Sequence, residues 1–439
     1  MRGSGEMRQA FVLLEMMNHM VLVAREAKAR GFLIVALNHD RPSPSGPFGA
    51  EADLVDEYVH IASWGDSEAV GAAVDSVVER YDIVGTYSAF EATLPYDAAL
   101  RERVGLPNNG AGNVPRVLDK AAVRRRLFAE GLSFLRSATL TEARQWTTWP
   151  FAGSAILKPA NGTGSALCFR VADLEELRAA AEQVDRAAVV NPLMREYILD
   201  RGEFVLEELA EGELLSVESL VNRGTVHTIG IQARYVLASD PVVEMGFLFP
   251  YHHPRSAEIF EKAQEFHRIM GIVHGPTQIE VMVPDEGPIE LIDFNIRSSG
   301  SASIVTFGQA LGTRHEVALA DLACGVDPDL SFLDRPTRFA AQMFLLPPPG
   351  AVEFQELEFP AGTVFHRPTR QRGDQLSGRA DQLDVVGGFT MSADSAAELH
   401  RGALRARREA VFNGVPLGDN PNNILAFSDH LGRELAPVR

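Results

Sequence analysis

Lysine is the scarcest thing in this chain of 439 residues: it occurs only at Lys28, Lys120, Lys158 and Lys262, so arginine supplies 37 of the 41 basic side chains. A compact ammonium suits a phosphate oxygen as a point charge, a task that arginine does less well in a tight site. Lys28 and Lys262 lie in charged, helix-like stretches and read as solvated. Lys120 and Lys158 lie inside motifs. Cysteine is nearly absent as well. Cys168 and Cys324 make no disulfide framework and no zinc spacing, which fits a reducing cytoplasm. No apolar run approaches the roughly 18 residues of a membrane span. Glu15, Asn18 and His19 break the one apolar stretch near the start, Phe11–Leu14, against a signal peptide. A net charge of −18 argues against nucleic acid as the main partner, because phosphate backbones need a basic face. The fingerprint G-x-G-x-x-G is missing after the first strand, and G-x-x-x-x-G-K-[ST] occurs nowhere, which disfavours NAD binding of the usual kind and P-loop chemistry.

What is present is an ordinary globular composition, 46% hydrophobic and 23% charged, long enough for roughly two to four domains. The first hundred residues alternate strand and helix signals: Phe11–Leu14, a helix from Asn18 to Arg30 closed by Gly31, strand Phe32–Leu37, helix Ser67–Tyr81 and strand Ile83–Thr86. That order predicts a parallel, doubly wound sheet. A turn-rich linker, Pro107–Pro115, closes this unit. Asp119 caps a short helix from Lys120 to Glu130, and Leu346–Gly350 sets off a C-terminal segment of scattered strands with one helix, Ser392–Val411.

Three stretches carry chemistry. In Leu157-Lys158-Pro-Ala-Asn161-Gly162-Thr163-Gly164-Ser165 a lysine closes an apolar strand and a glycine loop follows, whose N–H groups can wrap phosphate. In Gln278-Ile-Glu280 and Glu290-Leu-Ile-Asp293-Phe-Asn295-Ile-Arg297, two strands joined at Asp285-Glu-Gly287 form a hairpin. Asp293, Asn295 and Arg297, spaced by two, share one face. Glu280 adds a second carboxylate. Two carboxylates and an amide oxygen are hard ligands suited to Mg²⁺ shared with nucleotide phosphates. The third stretch, Val205-Leu-Glu207-Glu208-Leu209 through Glu211-Gly212-Glu213 to Glu218, reads as a second hairpin loaded with acids; any single acid there reads more readily as part of a solvated face.

The order of Lys120, Lys158-Pro-x-x-Gly162-x-Gly164-Ser165, Glu207-Glu208, Glu280 and Asp293-x-Asn295-x-Arg297 resembles the ATP-grasp superfamily. Within it, the chain is most similar to carboxylate–amine ligases of the L-amino-acid ligase type, from about residue 85 to 330. Arg124 and Gly131 fit the stretch around the first phosphate lysine. The resemblance implies an α/β fold with two α+β subdomains clasping ATP. A Rossmann-like parallel α/β domain over 1–115 precedes the ATP-grasp domain over 116–330, whose mobile lid spans about 140–203. A small C-terminal α+β subdomain over 331–439 completes the ligase. It further implies that Lys120 and Lys158 contact ATP phosphates, that Gly162, Gly164 and Ser165 form the loop above them, and that Glu207, Glu208 and Leu209 line the adenine, with Glu213 nearest the ribose. Glu280, Asp293 and Asn295 hold two Mg²⁺ ions, with Mn²⁺ able to substitute, and Arg297 binds the substrate carboxylate and then the acyl phosphate. Lys158 and Arg297 are the implied catalytic pair. Arg234, Glu244, Met245, Phe247 and Gly300 fall where related ligases line the substrate pocket, and His252-His253 reads as surface. Three positions depart from the family pattern: Asp293 replaces a glutamate, Gln278 a histidine, and Leu214 stands in the ribose-acid slot. The implied activity is ADP-forming ligation of an acid to an amine, both small molecules, in the cytoplasm; specialised peptide biosynthesis fits the high Arg and Ala content, and a homodimer is allowed. The rivals are a purine-type ligase or carboxylase and a nucleotide-binding regulator without turnover.

Overall fold

The computed structural model describes residues 7–17, 20–39, 53–162, 167–187, 195–200, 202–300, 302–334, 338–378, 380, 382–428 and 431–432. Its first unit is a four-stranded parallel sheet of β1 (Arg8–Leu14), β2 (Leu33–Asn38), β3 (Glu57–His60) and β4 (Tyr81–Tyr87), in the order β3-β2-β1-β4. Alternation along β1 sends Phe11 and Leu13 toward the helix Met20–Ala29, and Ala10, Val12 and Leu14 toward the helix Ser67–Arg80. Both faces are therefore covered, as expected from the β-α-β-α-β reading. Strand β3 carries too little hydrophobic pattern to stand out in the sequence, and its side chains are mostly half-buried.

A second, four-stranded antiparallel sheet contains β5 (Ser137–Thr139), β6 (Ala155–Pro159), β7 (Phe169–Val171) and β8 (Phe204–Glu208), ordered β5-β8-β6-β7. It packs Leu157, Leu177, Phe204 and Leu206 into a core of its own. Its helix, Leu174–Asp185, is capped by Asp173, whose carboxylate accepts from the amides of Glu175 at 2.8 Å and Glu176 at 2.9 Å.

The largest unit is a nine-stranded sheet. Its strands are β9 (Glu213–Asn222), β10 (Thr225–Leu237), β11 (Asp240–Phe249), β12 (Gly275–Val283), β13 (Glu290–Asn295) and β14 (Phe339–Leu345), followed after β15 (Leu357–Glu358) by β16 (Val364–Pro368) and β17 (Gly387–Ala393), and after β18 (Val411–Phe412) and β19 (Val415–Pro416) by β20 (Leu425–Ala426). The order is β13-β12-β9-β10-β11-β14-β17-β16, with β20 on β10, while β15, β18 and β19 make a small sheet apart. One face buries Leu215, Val217, Ile231, Ala233, Ile279 and Val281 in the main core, against the helices Ser256–Met270 and Ala396–Glu409. Past Leu346–Gly350 the C-terminal segment thus adds β16, β17 and β20 to the central sheet and keeps β15, β18 and β19 apart from it.

One expectation fails here. Strands β8 and β9 do not form a hairpin: β8 pairs with β5 and β6 in the small sheet, and β9 with β10 and β12 in the large one. The link at 209–212 crosses between sheets. Gly212, at φ +134°, lies so close to the neighbouring strand that a Cβ would meet the carbonyl carbon and oxygen of Val283 at 2.5 Å. A strand–turn–strand pattern does not say which partners each strand finds, and here better partners exist on both sides.

Candidate active site

The opposite face of the large sheet carries polar side chains in register. Glu280 pairs across β12–β13 with Asp293, and Gln278 with Asn295; across β12–β9, Glu280 faces Ser216 and Gln278 faces Glu218. The predicted hairpin and its shared face are thus present. Between Asp293 and Leu291 the register slips, so Ile292 is the extra residue of a bulge. Its freed carbonyl accepts from Lys158 Nζ at 3.2 Å, a re-aiming that bulges beside functional sites commonly provide.

Two lysines meet this face from the other side. Lys120 opens the helix Lys120–Ala129, whose N-cap is Asp119. Its backbone amide donates to Ala160 at 3.0 Å, which fixes the helix start against the loop after β6. Its Nζ lies 2.9 Å from Asp293 Oδ2 and 3.3 Å from the Gly162 carbonyl. Burial opposes charge on Lys120, yet the neighbouring Asp293 more than offsets it and holds the ammonium above its usual range. Burial likewise opposes charge on Asp293, and Lys120 and Lys158 bring that carboxyl below its usual range. Lys158 is the penultimate residue of β6 and pairs with Glu207 Oε2 at 2.7 Å. Gly164 and Ser165 lie outside the described residues.

Glu280 pairs with Arg234 Nη2 at 2.5 Å, and Arg234 Nη1 lies 3.1 Å from Glu244. Burial raises the Glu244 carboxyl above its usual range, although Arg234 works against this. Asn295 donates through Nδ2 to Gln278 Oε1 at 2.7 Å. That bond turns its Oδ1 toward Arg297, 3.4 Å from Nη2. Glu280, Asp293 and Asn295 thus present hard oxygens on adjacent strands. Among the described residues no three acidic, His or Cys side chains converge into a ready-made cage. Two carboxylates and one amide are the sparse protein ligation that suits Mg²⁺ shared with substrate phosphates, so this donor set fits the ion.

Arg297 lies two residues past Asn295, beyond the end of β13, and its partner was not legible in the sequence. It is neither Asp293 nor Glu290. Nε donates to Glu91 Oε1 at 2.7 Å, Nη2 reaches the same oxygen, and Nη1 donates to the Ser298 carbonyl at 2.9 Å. Glu91 follows β4 in the N-terminal unit and is buried. Position alone was a usable signal, since polar residues beyond the C-terminal ends of parallel strands are where such sheets bind ligands. Glu218 was also missed. It is 1% exposed, accepts from Gln232 at 2.8 Å and from Ser299, and burial pushes its carboxyl up to about 8. Alternation with Ser216 along β9 could have found it.

The acids expected on a solvated hairpin behave differently from one another. Glu207 is buried between Lys158 and Arg124; burial works against its charge, yet the two cations bring its carboxyl down to about 2. Glu208 is half-exposed and pairs with Arg136 Nη2 at 2.7 Å. The Leu209 amide already donates to the Ser154 carbonyl at 2.9 Å. Glu213 is the clear correction. It lies on the core face of β9, accepts from Tyr251 at 3.2 Å and from Ser428, and sits apart from the lysines and Glu280. One residue of offset on a strand reverses the face, so an acid one place early cannot replace the one missing at Leu214. His253 is buried 3.6 Å from Glu213 and its Nδ1 accepts from the Arg255 amide, whereas His252 is exposed as expected. Met245 and Phe247 are buried in apolar clusters. Gly300 is exposed, and a Cβ there meets nothing within 4 Å.

Comparison with known proteins adds three likenesses. The L-amino acid ligase from Bacillus licheniformis superposes with a TM-score of 0.75 at 19% identity, covering 93% of this chain and 99% of that one. Phosphoribosylglycinamide synthetase from Anaerococcus prevotii gives a TM-score of 0.67 at 13% identity, covering 92% and 99%. The biotin carboxylase domain of 2-oxoglutarate carboxylase from Hydrogenobacter thermophilus, in complex with MgADP, gives 0.68 at 15%, covering 94% and 92%. At such identities the likeness is one of fold. No curated protein matches the sequence. Residues 152–305 match the ATP-grasp domain family, and this match, set in a chain that superposes on these three structures over nearly its full length, identifies an ATP-grasp fold carrying an ATP-grasp domain.

Proposed function

We propose that the protein is an ADP-forming ligase that activates a carboxylic acid with ATP and joins it to an amine, with an amino acid as the acid and an amino acid or peptide as the amine. The observation that carries this reading is the convergence of Lys120 and Lys158 on Asp293 and Glu207, with Glu280, Asn295 and Arg297 on the same sheet face. The L-amino acid ligase is the neighbour with the highest TM-score among the three described, and the MgADP of the carboxylase neighbour agrees with the nucleotide assigned here.

Lys120 and Lys158 neutralise the phosphates of bound ATP as point charges. Glu280, Asp293 and Asn295 would hold Mg²⁺, which when bound neutralises phosphate charge. A substrate carboxylate oxygen attacks the γ-phosphorus, giving an acyl phosphate and ADP. Arg297, fixed by Glu91 and Ser298, keeps an Nη1 N–H to orient that carboxylate and then the acyl phosphate. The neutral amine attacks the carbonyl carbon, phosphate leaves, and an amide forms. The protein contributes positioning and charge compensation more than covalent work. The two sheets are held by the 209–212 link and are suited to close over the nucleotide and exclude water.

The test is a matrix of acids and amines scored for nucleotide products, with products identified by mass. ADP and phosphate, released only when acid and amine are both present and in step with an amide, are expected. AMP and pyrophosphate would exclude the acyl-phosphate route. Turnover with bicarbonate or a phosphorylated amine instead would select the purine-type or carboxylase chemistry, and nucleotide binding without turnover on any pair would leave a regulator.

A further inference from the structure

We infer that Arg124 is a positioning residue of the nucleotide site: it holds the Glu207 carboxylate balanced when Lys158 leaves it for a nucleotide phosphate. The inference rests on the assignment of Lys158 to ATP made above. It is carried by the way Arg124 spans the two sheets that form the cleft.

Arg124 lies one turn after Lys120 on the same helix, and its side chain is 3% exposed. Toward the small sheet, Nε and Nη2 reach the two oxygens of Glu207 at 3.2 and 3.4 Å. Toward the large sheet, Nη2 donates to the Leu291 carbonyl at 2.7 Å, and Nη1 donates to Ser133 Oγ at 2.8 Å and lies 3.4 Å from Glu290. Glu290 also accepts from Ser133 at 2.6 Å and from the Phe134 amide at 2.9 Å. The result is a closed set of two cations and two anions, Lys158–Glu207–Arg124–Glu290, that runs from Lys158 to the start of β13.

Of these four, Lys158 is the one assigned to a nucleotide phosphate. Lys158 contacts Glu207 and the Ile292 carbonyl, which engage two of its three N–H donors. If Glu207 had no other partner, moving Lys158 onto a phosphate would strand a buried carboxylate, which is costly. Arg124 removes that obstacle by gripping both Glu207 oxygens with the edge geometry that guanidinium provides and ammonium does not. The low pKa of Glu207, set against burial by Lys158 and Arg124, agrees with a carboxylate that has cations on two sides.

The experiment titrates ATP into the full chain without acid or amine, by calorimetry, for the wild type, Arg124→Met and Arg124→Met/Glu207→Gln. Arg124→Met should weaken ATP about tenfold or more, because Lys158 becomes locked on Glu207. Adding Glu207→Gln should restore most of that loss, since no carboxylate then competes for Lys158. A purely structural clasp behaves in the opposite way, because the second substitution removes yet more of its contacts. Unchanged ATP affinity in Arg124→Met, or no recovery in the double variant, overturns the inference. Where Arg124→Met fails to fold by circular dichroism, Arg124→Lys with and without Glu207→Gln reads the same coupling at smaller amplitude. A wild type that binds no ATP defeats the proposed function and this inference together, whereas binding without rescue defeats this inference alone.

Discussion

Arg297 shows how much of a residue's role is set by what holds it. Its Nε–Nη2 edge is engaged by Glu91, its Nη2 by the Asn295 oxygen and its Nη1 by the Ser298 carbonyl. Burial opposes its charge, but Glu91, helped by Asp293 and Glu218, more than compensates and raises it further above its usual range. A lysine in its place cannot make these bonds together and still keep an oriented N–H for a substrate carboxylate. Arg297→Lys should therefore leave ATP affinity near the wild-type value and cost about 2–4 kcal/mol of transition-state stabilisation, or roughly 30- to 1000-fold in kcat/KM for the acid. Near wild-type kcat/KM in that variant would reduce Arg297 to a strut between the N-terminal unit and β13.

At the scale of elements, the helix Ser256–Met270 supports the strand that carries Glu280. His267 on this helix is fully buried, with Nδ1 donating to the Ala263 carbonyl at 2.6 Å and Nε2 accepting from Thr277 of β12 at 2.7 Å. Burial lowers its pKa from 6.5 to about 4. The unfolded chain therefore binds a proton between those values that the folded chain does not. Stability is complete above the unfolded pKa and is lost as pH falls toward the folded one. At about pH 5 the loss from this group is about 2 kcal/mol relative to pH 7.5. Urea unfolding at the two pH values should show that increment in the wild type, and His267→Gln should remove it. An equal acid loss in the variant would assign the effect elsewhere, with His274, also lowered by burial to about 4, the next group to replace.

The whole molecule is joined by a second buried arginine. Arg101, on the helix after Glu91, donates to the carbonyls of Pro107 at 2.7 Å, Thr86 at 3.0 Å, Ala323 at 2.9 Å and Leu322 at 3.2 Å. The last two are carbonyls at the C-terminal end of the helix His315–Ala323, where a cation is favoured. Close packing accompanies this clamp: a Cβ on Gly85 of β4 would meet Cys324 Sγ and the Phe11 ring at 2.8 Å. Arg101→Met should leave several buried carbonyls without a donor and cost about 3 kcal/mol or more. The measurement is chemical denaturation, followed in the N-terminal unit and in the large sheet separately. Wild-type stability would show that the apolar contacts alone join the units. No helix among the described residues is long and apolar enough to cross a membrane.

Features that depend on local order could be read from the residues alone. The β12–β13 hairpin was legible from its turn and alternation, the parallel N-terminal sheet from its β-α-β pattern, and the helix at Lys120 from its cap. Lys120 and Lys158 stood out because the chain uses so few lysines. Those features rest on neighbouring residues and short periods, which a linear reading preserves. Strand pairing, by contrast, was settled in three dimensions. It sent β8 and β9 into different sheets, drew the C-terminal strands into the central one, and turned Glu213 away from the lysines while bringing Glu91 to Arg297 across 206 positions. The physical reason is that a buried charge is satisfied by whatever partner the packing delivers, and sequence separation says little about which partner that will be.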